Sequence, residues 1–286
     1  MTVPIPPVVH AVALPPEPAK SARAWSAPLN PSMVDWAGKR VWLIGASSGI
    51  GYACAQALAR AGAHVVVSAR KLPDVAGQAH LYPVALDVTD PVSVQTAKAW
   101  VVETILQNPV HGGPLDLVVY CAGHYRAQRA TDFDLKEMLR HQEVNYVGAL
   151  QVLDAVLPLF LAQGRGHISL VSSVAGWSGL PNGLAYGPTK AALTHLAESL
   201  YLDLQDRGLG VSVIHPGFVA TPLTAQNDFE MPALITPDQA AQAMLKGWAQ
   251  GAFDIHFPKR FTLWLKLMRL LPYRWYFSLV RRFTGM

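Results

Sequence analysis

The sequence predicts an α/β domain built on a doubly wound parallel sheet, and three observations carry that reading. Short runs rich in β-branched residues alternate with helical patterns from Gly38 onward, a glycine-rich turn follows the first run, and the chain is apolar enough to bury both faces of a sheet. Of its 286 residues 51% are hydrophobic and 15% charged, with a net charge of +4; the mean hydropathy is +0.22. These values exclude disordered, collagen-like and strongly acidic chains. They favour one domain with appendages over two, since a chain of this size can bury about 75% of its unfolded surface around one core.

Residues 1–37 hold eight of the 22 prolines, too many for a helix and without a strand's alternation. They are expected to form an extended, poorly ordered arm. Prolines interrupt its apolar stretch and no basic segment precedes it, which argues against a signal peptide. Residues 40–44, 64–68, 81–85, 115–120, 167–171 and 210–215 read as strands, and 50–61, 92–106, 134–162 and 185–207 as helices. This alternation defines a dinucleotide-sized catalytic domain over 38–258, with ligands expected at the carboxyl ends of the strands. No window reaches 18 uncharged apolar residues, so a conventional spanning helix is not expected. Cys54 and Cys121 are the only cysteines and lack metal-binding spacing. They point to a reducing, cytoplasmic setting and no metal site.

The turn after the first strand reads Gly45-Ala46-Ser47-Ser48-Gly49-Ile50-Gly51. Glycines there let the backbone approach a pyrophosphate, at which the next helix aims its free N–H groups. The same stretch contains Gly45-x-Ser47-x-Gly49, the nucleophile-elbow pattern of serine hydrolases, for which His215 or His256 would supply the base. An elbow on the first strand leaves no preceding strand for an oxyanion loop, so the hydrolase is the weaker alternative.

Further on stands Tyr186-Gly187-Pro188-Thr189-Lys190, with Ser173 thirteen residues before the tyrosine and Asn145 upstream. A phenol with a pKa of about 10 is a poor base at neutral pH unless a cation stabilises its phenolate. Lys190, one helical turn beyond Tyr186, can supply that charge, so the pair can move an alcohol proton while a hydride passes to or from a nicotinamide. A surface Tyr and Lys would be the bland reading were Ser173 and Asn145 missing.

Taken together, Gly45/Gly49/Gly51, Cys121-Ala122-Gly123, Ser173, Tyr186/Lys190 and Pro216-Gly217 resemble, in order and spacing, the short-chain dehydrogenase/reductase family over residues 38 to 258. The resemblance implies a Rossmann-like fold, Lys190 holding the nicotinamide ribose, Ser173 positioning the substrate oxygen, and Asn145 supporting a proton-relaying water. It places the cofactor against Gly45, Ser47, Ser48, Gly49, Ile50, Gly51, Arg70, Asp87, Val88, Cys121, Ala122, Gly123, Tyr186, Lys190, Pro216, Gly217, Val219 and Thr221. It also implies a homodimer through 134–162 and 185–207. The chain departs from the family at Ile44, where a threonine is usual, and at Tyr120 and Cys121, where an asparagine pair is usual; both ends of one polar tie are lost together. Cys121 reads as a packed thiol. Asp87 matches the aspartate beside the adenine, or else caps the helix that follows. A non-catalytic sensor that binds NADP remains an alternative.

Cofactor choice turns on Val67-Ser68-Ala69-Arg70-Lys71. No carboxylate stands there to accept the ribose hydroxyls of NAD, and Arg70 can grip a 2′-phosphate, which favours NADP(H) over NAD(H). The other position where some relatives carry a base is Ser48. Phe218, Leu223, Phe229, Met231, Leu234 and Ile235, with Trp177, Leu180, Pro181 and Leu184 opposite, predict a lipophilic ketone or secondary alcohol as substrate.

Phe253 to Met286 carries seven basic residues against Asp254 alone, a net +6 that leaves the rest of the chain at −2, and nine of the 26 aromatic residues. This placement argues against a nucleic-acid surface. Over 259–286, Thr262, Lys266 and Arg269 share one helical stripe, with Phe261, Trp264, Leu265 and Met268 on another, and Pro272 interrupts the pattern. Such an extension suits peripheral contact with the inner face of a membrane; a helix pair over the cleft or against a partner subunit is the competing reading.

Overall fold

The computed structural model describes residues 27–285. Seven parallel strands, β1 (Arg40–Ile44), β2 (His64–Ala69), β3 (Leu81–Ala85), β4 (Leu117–Tyr120), β5 (Gly166–Val171), β6 (Leu209–Pro216) and β7 (Asp254–Phe257), form one sheet in the order β3-β2-β1-β4-β5-β6-β7. The helices are α1 (Gly49–Arg60), α2 (Pro91–Val101), α3 (Leu135–Gln142), α4 (Gly148–Gln163), α5 (Tyr186–Leu204), α6 (Pro237–Ala249), α7 (Lys259–Met268) and α8 (Tyr273–Thr284). Strand side chains alternate between two buried layers. Trp42 and Ile44 of β1 join Val118 and Tyr120 against α2, α4 and α5, whereas Val41 and Leu43 join Leu117 and Val119 against α1 and α6. Strand order reverses between β1 and β4, and a crevice opens beyond their carboxyl ends.

Two expected helices carry an interruption. The helix expected over 92–106 ends in a π-helical turn, Val102–Leu106, and that over 134–162 is split by another, Glu143–Val147, which holds Asn145. The helical run 135–163 is long and apolar enough to cross a bilayer, but half of its apolar window is buried. Val152, Val156 and Phe160 pack in the sheet's core, which accounts for that apolarity.

Helix α6 was not anticipated, although its start is written plainly. Thr236 Oγ1 accepts from the Gln239 N–H (3.2 Å) and Gln239 Oε1 accepts from the Thr236 N–H (2.9 Å), a reciprocal cap with Pro237 at the first helical position. Its Ala240, Met244 and Trp248 are buried against the α1 layer.

Of the arm expected over 1–37, residues 1–26 lie outside the described ones. The part from 27 to 37 departs from the expectation, because it packs on the body. Asn30, 4% exposed, does what a strand residue would do. Its Oδ1 accepts from the Val211 N–H (2.9 Å) and its Nδ2 donates to the Val211 carbonyl (2.8 Å), pairing β6 where β7 does not reach. Trp36 then packs edge-on against Trp248 at 5.7 Å. Replacing Asn30 with Ala would leave both Val211 groups buried and unpaired, so the free energy of unfolding in urea should fall by about 1–3 kcal/mol.

Candidate functional site

The crevice beyond β1 and β4 has a volume of about 600 Å³. Its floor is the glycine turn. Gly45 has φ +86°, and a Cβ there would lie 2.3 Å from the Ala122 nitrogen. A Cβ on Gly51 would lie 2.4 Å from the Gly45 carbonyl oxygen, so β1, β4 and the start of α1 approach one another through backbone alone. Ser48, extended at φ −165°, makes no side-chain cap on α1. The first-turn N–H groups of α1 and its positive dipole end therefore remain for a ligand in the crevice.

Nearly all the residues expected at the site line this crevice, from Gly45, Ser47, Ser48, Gly49, Ile50 and Gly51 through Arg70, Asp87, Val88, Cys121, Ala122 and Gly123 to Ser173, Tyr186, Lys190, Pro216, Val219 and Thr221. Asn145 and Gly217 do not. Gly217 donates its N–H to the Phe257 carbonyl (2.8 Å) and packs under Phe261. Asn145 is fully buried one layer behind. Its Oδ1 accepts from the His124 N–H (2.7 Å), while its Nδ2 donates to the His124 carbonyl (3.0 Å) and to Thr189 Oγ1 (3.0 Å). Its amide is committed to fixing the loop after β4 against α5. Asp87 is not the helix cap, a role that falls to Asp90. Burial alone would raise the Asp87 carboxyl, but hydrogen bonds from Thr89 and the charges of Arg70 and Arg140 outweigh that effect and hold it below its ordinary range.

At the inner end, Tyr186 and Lys190 occupy successive turns of α5. Ser173 caps a short 3-10 turn by accepting from the Ala175 N–H (3.1 Å) and is hydrogen-bonded to Tyr186. Lys190 Nζ donates to the Val171 carbonyl (2.9 Å) and lies 5.5 Å from the centroid of the Tyr186 ring. The expected lowering of the Tyr186 pKa is reversed here. Burial pushes the phenol up, and the Ser173 hydrogen bond offsets this only in part. Burial also brings Lys190 down to about 8. Cys121 is pushed up to about 11 by burial, which keeps it a thiol.

The two histidines offered as the base of a hydrolase serve elsewhere, which overturns that alternative. His215 Nε2 pairs with Thr194 Oγ1 (3.0 Å) and its Nδ1 donates to Asp254 (2.8 Å); His256 Nδ1 pairs with Thr262 Oγ1 (2.7 Å). Neither side chain is paired with Ser47. Thr194 also meets Ser172 Oγ (2.9 Å), which donates to the Lys190 carbonyl (2.6 Å), and Asp254 meets Lys266 of α7. A polar chain thus runs from the backbone of α5 to the extension. Burial would raise Asp254, but hydrogen bonds from His215 and Lys266, with their charges, hold it far below the usual carboxylate range. His124, Glu137 and His141 also converge, but His141 uses one ring nitrogen on the Glu137 carbonyl and the other on the Arg126 N–H, bracing the 124–126 loop.

The substrate side differs in detail from expectation. Leu223 lines the crevice, and Phe218 packs on Phe229 at 5.7 Å. Ile235 belongs to the core, paired with Val219. Trp177 faces away, into a second cavity of about 380 Å³ with His215, Asp254 and Lys266. Three contributors were missed. Tyr125 stands edge-on to Tyr186 at 5.1 Å, Phe261 reaches from α7 to Phe218 at 5.7 Å, and Lys71 lines the crevice beside Arg70. Only Lys71 left a signal, as a second cation in the turn after β2.

Fold and crevice define a dinucleotide-binding α/β domain with a tyrosine–lysine pair at its inner end. Residues 39–231 match the model of the short chain dehydrogenase family. The chain is 35% identical to an uncharacterized oxidoreductase of Myxococcus xanthus over 84% of its own length and 95% of the relative's. It is 32% identical to an uncharacterized oxidoreductase of Staphylococcus haemolyticus over 77% and 95%. In fold it is similar to a short chain dehydrogenase from Burkholderia cenocepacia solved in complex with NADP, with TM-score 0.70 and 24% identity over 83% of this chain and 100% of that one. The chain belongs to the short-chain dehydrogenase/reductase family of NAD(P)-dependent oxidoreductases.

Two glycines separate backbone strain from steric exclusion. Gly38, at φ +66° with open space around it, should lose about 1–2 kcal/mol of unfolding free energy as Gly38→Ala and keep cofactor affinity. Gly45→Ala adds the clash with Ala122 and should cost more stability and abolish dinucleotide binding, as read by urea unfolding and nucleotide fluorescence titration.

Proposed function

We propose that the protein is an NADP(H)-dependent oxidoreductase acting on a lipophilic ketone or secondary alcohol. The observation that carries this reading is the grouping of Tyr186, Ser173 and Lys190 at one end of a crevice whose other end presents Arg70 and Lys71. The donor set fits the cofactor. Glycines admit a pyrophosphate at the start of α1, the turn after β2 offers two cations and no carboxylate to a 2′-phosphate, and Asp87 lines the same crevice, where it would face the adenine. The bound nicotinamide supplies or accepts the hydride.

In the reducing direction, Ser173 holds the carbonyl oxygen by a hydrogen bond, and Tyr186, kept protonated by its burial, donates its phenolic proton to that oxygen. The ammonium of Lys190 stabilises the phenolate left behind. Its fixed bond to the Val171 carbonyl keeps it beside the ring and at hand for the ribose. Asn145 acts by holding His124 in place rather than by touching the reacting atoms. Leu223 lines the crevice and Tyr125 packs edge-on against Tyr186, apolar neighbours that support a lipophilic substrate.

Tyr186→Phe should lower turnover by ~10²-fold or more and leave NADPH affinity unchanged; retained turnover overturns the mechanism. Because burial lowers Lys190 to about 8, its charge is present below that pH and lost above it. The kcat/KM for carbonyl reduction should therefore hold through neutral pH and fall beyond about 8. For cofactor choice, NADPH should bind more tightly than NADH, and Arg70→Ala should erase about tenfold or more of that preference. Equal dissociation constants in the wild type refute it. A panel of sterol, retinoid and long-chain keto-lipid carbonyls, set against charged keto acids, tests the substrate class by NADPH consumption.

A further inference from the structure

Helix α7 turns two residues of its polar stripe inward, together with Met268, and leaves Arg269 outside: Thr262 is 0% exposed and bonded to His256, and Lys266 is paired with Asp254. Its outward side instead presents Leu263, Trp264 and Leu267, followed by Leu270, which are 41–80% exposed. Helix α8 is held by Tyr276, which is buried and donates its hydroxyl to the Gly179 carbonyl (2.9 Å). Around that anchor Tyr273, Trp275, Phe277 and Phe283 are 54–76% exposed. Trp264 of α7 meets Phe283 of α8 edge-on at 5.2 Å, which joins the two exposed faces. Eight of the 21 exposed large apolar side chains among the described residues lie between 263 and 283, which marks this patch as a docking surface.

Charge selects the occupant. Arg260, Arg269, Arg274, Arg281 and Arg282 are exposed around these aromatic and leucine side chains. The one acid of the segment, Asp254, is taken by His215 and Lys266. A second copy of this chain would bring the same cations against them. Residues 1–26 offer only Glu17 against Lys20 and Arg23. A surface that is apolar within and anionic at its rim answers both features, as a phospholipid headgroup layer does.

We propose that α7 and α8 dock the protein on an anionic membrane, with the outward leucines and aromatics among the headgroups and acyl boundary and the arginines on the phosphates. The inner side of α7 carries Phe261 onto Phe218 and Gly217. The helix that meets lipid is therefore packed on the loop that leaves β6 toward Leu223, a crevice residue. Any bearing of that contact on catalysis rests on the reading of a lipophilic substrate; the docking itself does not.

The test uses the full-length chain, without substrate, mixed with phosphatidylcholine vesicles that either contain or lack phosphatidylglycerol. Sedimentation with the anionic vesicles, a drop of tenfold or more on pure phosphatidylcholine, and release by salt are expected. Arg281→Glu with Arg282→Glu, and separately Leu267→Ser with Trp264→Ser, should each reduce binding tenfold or more while NADPH affinity stays that of the wild type, which shows the fold intact. Equal sedimentation with both vesicle types, or none with either, overturns the proposal. It is also overturned if the Leu267→Ser/Trp264→Ser variant turns an oligomer into a monomer without a change in lipid binding, since a second copy then covers the face. The same holds if binding appears only once residues 1–26 are removed.

Discussion

The close approach of β1 to β4 at Gly45 is the constraint on which the rest of the site depends. With a Cβ-free residue 2.3 Å (measured to its hypothetical Cβ) from the Ala122 nitrogen, the two strands can stay paired through Ile44 and Tyr120 and still diverge immediately afterwards. Sheet order reverses at that same pair, so the helices that follow β1 and β4 leave to opposite faces and open the crevice between them. At these strand ends the chain uses packing. Ile44 is fully buried, and the Tyr120 hydroxyl, 1% exposed, closes on the Val144 carbonyl inside the π-helical turn. That bond reaches the residue next to Asn145, whose amide fixes the loop after β4. β4 and α5 are thus coupled through one short stretch of irregular helix, a common place for a functional residue.

Burial governs the chemistry as much as charge does. Lys190 is only 3% exposed, and removing water from its ammonium lowers its pKa to about 8 while raising that of Tyr186. Both shifts oppose charge separation in the pair, so the resting arrangement is a protonated phenol beside a cation close to its titration point. That state suits proton donation to a carbonyl better than proton removal from an alcohol.

Much of this was legible in the sequence because it depends on spacing along single elements. Tyr186 and Lys190 face one way because they are one helical turn apart, and the glycine turn faces the crevice because a strand precedes it and a helix follows. What was not legible came from elements meeting across the fold. Asn145 looked like a site residue, and only the π-helical turn reveals that its amide is spent on His124. Trp177 sits near Ser173 in sequence, yet it packs at a tilt against His215 and under Lys266, away from the crevice. Asn30 lay in a proline-rich stretch with no pattern, and its strand-like pairing with Val211 depends on β7 ending early.

The orientation of α7 follows from the same kind of distant pairing. A helix with a polar stripe of Thr262, Lys266 and Arg269 would ordinarily turn that stripe to water. Here β6 and β7 bring His215 and Asp254 to a partly buried position, and a buried carboxylate needs a cation. Lys266 meets that need, and Thr262 satisfies His256 on the next strand residue but one. Once those two contacts are made, the helix has no freedom left about its axis. Leu263, Trp264 and Leu267 must point outward whatever lies there. The exposed apolar face is thus a consequence of the polar chain that runs from the Lys190 carbonyl through Ser172, Thr194, His215 and Asp254 to Lys266. The basic residues set among those side chains have no such internal reason. Arg260, Arg281 and Arg282 satisfy nothing in the core, and their presence beside an outward apolar face is what a partner, rather than the fold, would require.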